Sequence, residues 1–158
     1  MAIKYTDAEI DAMIREKKPL PKDYRTRLQV RPKRGHLERD FDVIGANGTH
    51  FQVILRQSSL NLFDFSLVLV VLPEDSNLQF RICRYNGRSH QHTNRIEGDT
   101  FFDFHVHRAS ERYQELGGRE DGYAEPTTRY ADFDTALKCF LSENGFVHGE
   151  LNHPELNL

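Results

Sequence analysis

Apolar and polar residues alternate along this chain with two different periods, and the change of period marks its elements. Thr6-Asp7-Ala8-Glu9 matches a capping box, in which the threonine hydroxyl and the glutamate carboxylate satisfy free N–H groups at a helix start. Ile10, Met13 and Ile14 follow at i, i+3 and i+4. Lys17-Lys18 suits the negative end of a helix, and Pro19 and Pro21 stop it. This predicts a short amphipathic N-terminal helix. From there the period drops to two. Leu28 and Val30 predict a first strand with Pro32-Lys33-Arg34-Gly35 as its turn. Leu37, Phe41 and Val43 alternate with Glu38, Asp40 and Asp42, Asn47-Gly48 marks a hairpin, and Phe51, Val53 and Leu55 return on the same alternation.

Phe65–Leu72 is continuously apolar, as in a central strand buried on both faces. Two further strands are predicted over Leu78–Tyr85 and Thr100–Arg108. The first points Leu78, Phe80 and Ile82 inward and Arg81, Cys83 and Tyr85 outward; the second points Phe102, Phe104 and Val106 inward and Asp103, His105 and His107 outward. Paired as a hairpin, they merge their polar faces. Residues 109–131 have no clear period; Gly117, Gly118 and Gly122 argue against regular structure there, and Ser110–Leu116 reads as a helical turn or a continuing edge. A second amphipathic helix follows: Asp132 caps it, Phe133, Ala136, Leu137, Phe140 and Leu141 form its stripe, and Gly145 ends it. The expected fold is α+β, an antiparallel meander of about six strands with a helix at each end. One domain spans 1–146, and 147–158 form a loosely attached tail.

Composition agrees with one domain. The 158 residues are 38 % hydrophobic and 28 % charged, enough to build a core without disulfides. Cys83 and Cys139 make no C-x-x-C pair and read as free thiols. With no apolar stretch of secretory or membrane-spanning length, the expectation is a cytoplasmic protein with no membrane association. The net charge of −3 is unevenly spread. Residues 1–39 carry eleven Lys/Arg against six Asp/Glu, and residues 120–158 carry two against eight. The two ends neutralise each other in the fold, or solvate their own faces, or form a basic surface for a polyanion beside an acidic tail.

The chemistry concentrates in one stretch. Four of the eight histidines form two H-x-H pairs, His90/His92 and His105/His107, among Arg81, Arg84, Tyr85, Arg88, Arg95, Asp103, Arg108, Arg112 and Tyr113. Imidazoles move protons or bind metals near neutral pH, and arginines hold oxyanions. Acid–base work on a phosphodiester would use His105 or His107 as base or acid, Tyr85 or Tyr113 as a further donor, and Arg84 or Arg112 as a clamp. Arg81, Arg88, His90, His92 and Arg95 would add substrate contacts. Asp103-x-His105-x-His107 also suggests a metal chelate, but the crowd of arginines argues against a cation, so neither a metal nor another cofactor is expected. Walker, G-x-G-x-x-G, G-x-S-x-G and H-E-x-x-H motifs are absent from the sequence.

The run His105 to Gln114 resembles a family of small uncharacterised bacterial proteins sharing H-x-H-x-x-[S/T]-E-R-Y-Q. Arg84-Tyr85-Asn86-Gly87, a nearby histidine and His105-Val106-His107 before a last helix are loosely similar to TumE-like toxins of toxin–antitoxin pairs, which carry R-Y-D-N where this chain has Asn86-Gly87 in place of Asp-Asn. The Arg/His/Tyr constellation together with this loose toxin-like order leads to the expectation of a small bacterial toxin–antitoxin or defence-like protein with a metal-independent RNA-processing or RNA-binding patch, with RNA and a small antitoxin-like protein as partners. Two other readings stay open on the residues alone: a non-enzymatic module that docks on nucleic acid or an acidic protein, and a metal-dependent enzyme using the H-x-H pair.

Overall fold

The computed structural model describes residues 4–23, 31–33, 35–74 and 76–148. Helix α1 (Asp7–Arg15) starts at the Thr6–Glu9 capping box and buries Ile10 and Met13. Strands β1 (Lys18–Leu20), β2 (Arg31–Lys33), β3 (His36–Ile44), β4 (His50–Ser58), β5 (Phe65–Val71) and β6 (Phe80–Asn86) follow. A two-residue pair, β7 (His92–Thr93) and β8 (Thr100–Phe101), comes before β9 (His105–Arg108). Helix α2 (Glu111–Leu116), β10 (Tyr123–Pro126), helix α3 (Phe133–Glu143) and β11 (Phe146–His148) complete the order. The architecture is α+β. Its main sheet has seven antiparallel strands in the order β10-β9-β6-β5-β4-β3-β2, with β5 in the middle, as its unbroken apolar run requires.

One face of this sheet makes the core. Phe41, Val43, Phe51, Val53, Leu55, Phe65, Leu67 and Leu69 pack there against Ile10 and Met13 of α1 and Phe133, Ala136 and Phe140 of α3. A buried lysine ties the two helices together. The Lys18 ammonium donates to the carbonyls of Met13, Glu16 and Asn144 at 2.6–2.8 Å and lies 3.1 Å from that of Ile14, and it sits 4.6 Å from the centre of the Phe51 ring. Carbonyls left free where α1 and α3 end thus receive their hydrogen bonds from one side chain. Lys18 also begins β1, which pairs in parallel with β11, so Val147 and His148 belong to the fold and not to a tail. Residues 149–158, like Leu28 and Val30, lie outside the described residues.

Several elements differ from the periodic reading, each for a local reason. Pro32 and Lys33 are part of β2, not of a turn. The β3–β4 hairpin closes through Gly45–Thr49, and only Gly48 uses a positive φ, 82°. Leu78 precedes β6 and is 75 % exposed. A bulge in β6 pairs Leu69 with Cys83 but Val70 with Arg81, so Ile82 is an extra residue in the ladder. Beyond it the alternation inverts: Cys83 and Tyr85 face the core, and Arg84 joins Arg81 on the opposite face. Thr100–Arg108 is not one strand. It breaks at 102–104, which leaves Phe102 49 % exposed and Phe104 half-buried. Ser110 caps α2, and Gly117 closes it at φ 85°.

Candidate metal centre

β6 and β9 run antiparallel with Arg84 opposite His107 and Asn86 opposite His105, so these four side chains share the sheet face away from the main core. That face is covered, not open. His105 is 0 % and His107 3 % exposed, so although both point away from the main core, neither faces solvent. The cover comes from the 87–104 connection and from the turn that leads out of α2. Within the connection, β7 and β8 form a small antiparallel pair, which sets the His92 ring 5.4 Å from His105 and 4.8 Å from His107, centre to centre.

One ring nitrogen each from His92, His105 and His107 come within 4.8 Å of one another. The hydrogen bonds determine which nitrogens are free. His105 Nδ1–H donates to the Asp103 carbonyl at 2.8 Å, and His107 Nδ1–H to the Asp121 carbonyl at 2.7 Å. Carbonyls only accept, so both rings carry their proton on Nδ1 and a lone pair on Nε2. His92 is pinned by its other nitrogen: Nε2–H donates to Asn94 Oδ1 at 2.9 Å, leaving Nδ1. The Asn94 amide cannot be reversed, since Oδ1 accepts from Ala124 N and Nδ2 donates to Ala124 O, both at 2.8 Å. Each imidazole therefore spends one nitrogen on a fixed partner and keeps a lone pair on the other, that of His105 accepting a 3.3 Å hydrogen bond from Asn86 Nδ2; one nitrogen held by a fixed partner is the arrangement found around metal-bound histidines.

Electrostatics keep the two strand histidines neutral. Burial, with smaller contributions from the neighbouring His92, His90 and Arg84 charges, lowers His105 to about 4. Burial and the adjacent Arg84 guanidinium lower His107 to about 2. Neutral imidazole is the ligand form.

The other residues expected at a site are distributed differently. Tyr85 lies on the core side of the sheet, where its hydroxyl donates to Glu143 at 2.5 Å, and burial followed by that bond pushes its ionisation far up. Tyr113 is a buried residue of α2; its hydroxyl donates to Glu97 at 2.6 Å and accepts from Ile96 N at 3.2 Å. Among the described residues, neither tyrosine hydroxyl hydrogen-bonds to a histidine ring. Asp103 contributes its carbonyl, and its side chain is exposed. His90 is exposed, with its ring 5.8 Å from that of His105. Arg88 and Arg95 are exposed, and Arg112 pairs with Glu97 at 2.7 Å.

Two groups were missed by sequence reasoning. Asn94 is 1 % exposed and holds the His92 connection to β10, but a polar residue in a polar loop gives no periodic signal. Asp121, 0 % exposed, lies 3.3 Å from Arg84 and 3.5 Å from Arg81 and Arg119, in the stretch without a period.

No family model, no curated protein and no solved structure matches this chain, so the functional reading rests on the geometry of these side chains.

Proposed function

We propose that this protein is a metalloenzyme in which His92, His105 and His107 hold one first-row divalent ion, zinc foremost, and a coordination position left to water does the chemistry. The observation that carries this reading is the convergence of three imidazoles whose non-ligand nitrogens are already committed to Asn94, Asp103 and Asp121. Imidazole ligation suits zinc, copper, iron and nickel. Three protein ligands plus a solvent position is the pattern of catalytic zinc, which brings its bound water to a pKa of about 7 and so supplies hydroxide at neutral pH. A metal-activated hydrolysis is the reaction class that follows.

The arginine crowd that argued against a cation is offset in the fold, though not fully: one positive charge remains beside the histidines. Arg81, Arg84 and Arg119 gather on Asp121, Arg81 also binds Glu120, Arg112 pairs with Glu97 and Arg108 with Asp11. A metal-independent RNA-processing patch has less support. It needs a proton donor beside the histidines, yet His105 and His107 are held neutral, Tyr85 faces the other side of the sheet, and Tyr113 is engaged by Glu97.

Elemental analysis of the purified protein tests the proposal. About one equivalent of metal per chain is expected, restored by zinc or cobalt(II) after chelation and lost in His92→Ala and His105→Ala variants that retain their circular dichroism. A folded protein that takes up none of zinc, cobalt(II), manganese or iron(II) overturns it. RNA cleavage that persists in chelator and needs His105 would return the acid–base reading to first place.

A further inference from the structure

Arg84 stands directly across from His107, with its side chain only 17 % exposed. Its Nε is buried and lies 3.3 Å from Asp121 Oδ2 but makes no hydrogen bond. The surrounding charge does not cancel. Arg81, Arg84 and Arg119 bring three positive charges against two negative ones from Glu120 and Asp121, leaving one positive beside the histidine cluster. A divalent ion there raises the excess to three. Like charges on a desolvated face repel strongly unless an anion sits between them. A guanidinium offers the planar fork of N–H donors that matches an oxyanion.

Asn86 adds a second group. It is 6 % exposed, its Nδ2 donates to His105 Nε2 at 3.3 Å, and its Oδ1 has no partner. An ion that took the His105 lone pair would leave the Asn86 Nδ2 hydrogen without its acceptor. An oxygen bound to the ion would supply a replacement.

We propose that the centre's ligand is an oxyanion, a carboxylate or a phosphate, with one oxygen on the metal ion, another in the Arg84 fork, and Asn86 Nδ2 donating to it. This rests on the metal reading above and narrows the substrate to molecules that carry such a group.

Cobalt(II)-loaded protein provides the test, because its visible absorption responds when a ligand joins the ion. At constant ionic strength, acetate and inorganic phosphate are titrated separately. A saturable spectral change with at least one is expected, and the tighter of the two identifies the oxyanion source. Arg84→Gln should weaken that binding at least tenfold and Arg84→Lys severalfold, both with cobalt stoichiometry unchanged. If Arg84→Gln does not fold, Arg84→Lys decides. Full cobalt uptake with no response to either anion, or wild-type anion affinity in a cobalt-loaded Arg84→Lys, overturns the oxyanion proposal and leaves the metal centre standing. Failure to bind cobalt at all overturns both.

Discussion

His107 has two roles in this structure, and only one of them is to offer a lone pair. The ring is packed inside the protein and its Nδ1–H satisfies the buried Asp121 carbonyl. His107→Ala should therefore destabilise even the metal-free protein, by about 2–4 kcal/mol, from the cavity left and the carbonyl orphaned. His92 is half-buried at the edge of a two-residue pair, so His92→Ala should cost under about 1 kcal/mol in the same urea titration with chelator present. Equal, small effects would show that the histidine face is not packed as described. Asn94→Ala separates positioning from ligation. It removes the brace on His92 and both bonds to Ala124, and should lower zinc affinity about 10–100-fold with all three ligands still present. Unchanged affinity by competition with a chromophoric chelator would remove Asn94 from the site. At this scale the sequence was half legible. Two-residue spacing correctly places His105 and His107 on one face, but spacing cannot say whether that face is covered. The cover comes from Asn94 and Asp121, in segments with no period to read.

At the scale of elements, the long alternating strands were legible and the interruptions were not. β3, β4 and β5 each carry several apolar residues in a fixed phase, so Phe51, Val53 and Leu55 announce a buried face, and all three are fully buried. β6 carries a bulge, and one extra residue is enough to reverse every later assignment. That is why Tyr85 goes to the core while Arg84 and Asn86 go to the histidines. The break at 102–104 similarly releases Phe102. The end of β6 is fixed by a close approach that no propensity records: a Cβ on Gly87 would stand 1.9 Å from the Phe63 carbonyl oxygen, while Gly87 N donates to the Phe65 carbonyl. Gly87→Ala must push two backbones apart, with an expected cost of about 2 kcal/mol or more. Because Asn86 and the His90/His92 connection leave from this point, metal affinity should fall in the same variant. A Gly87→Ala protein with wild-type denaturation midpoint would mean that the approach is looser than it stands here. Leu69→Ala, in the centre of the sheet, should cost about 2–5 kcal/mol, and Phe104→Ala less than a full core phenylalanine, since it is half-buried.

For the whole molecule, the proposed metal centre draws its ligands and their braces from separate stretches of chain. His92 comes from the β7–β8 pair, His105 and His107 from β9, and Asp121 from the turn before β10, so one ion would fasten the covering segments to the sheet. No described helix is long and apolar enough to cross a membrane. An ion that binds the folded chain and not the unfolded one stabilises it by mass action, about 2.7 kcal/mol at a free concentration one hundred times Kd. For a domain of this size each kcal/mol raises Tm by about 2–4 °C, so saturating zinc should raise Tm by roughly 5–10 °C over the chelated protein. The gain should vanish in His105→Ala. It should also be local: on metal removal, amide exchange should accelerate in residues 87–104 and 117–122, while β4 and β5, anchored by the core on the opposite face, keep their protection. Uniform loss of protection throughout the sheet would mean that the ion supports the whole core and that the histidine face does not form a separate layer.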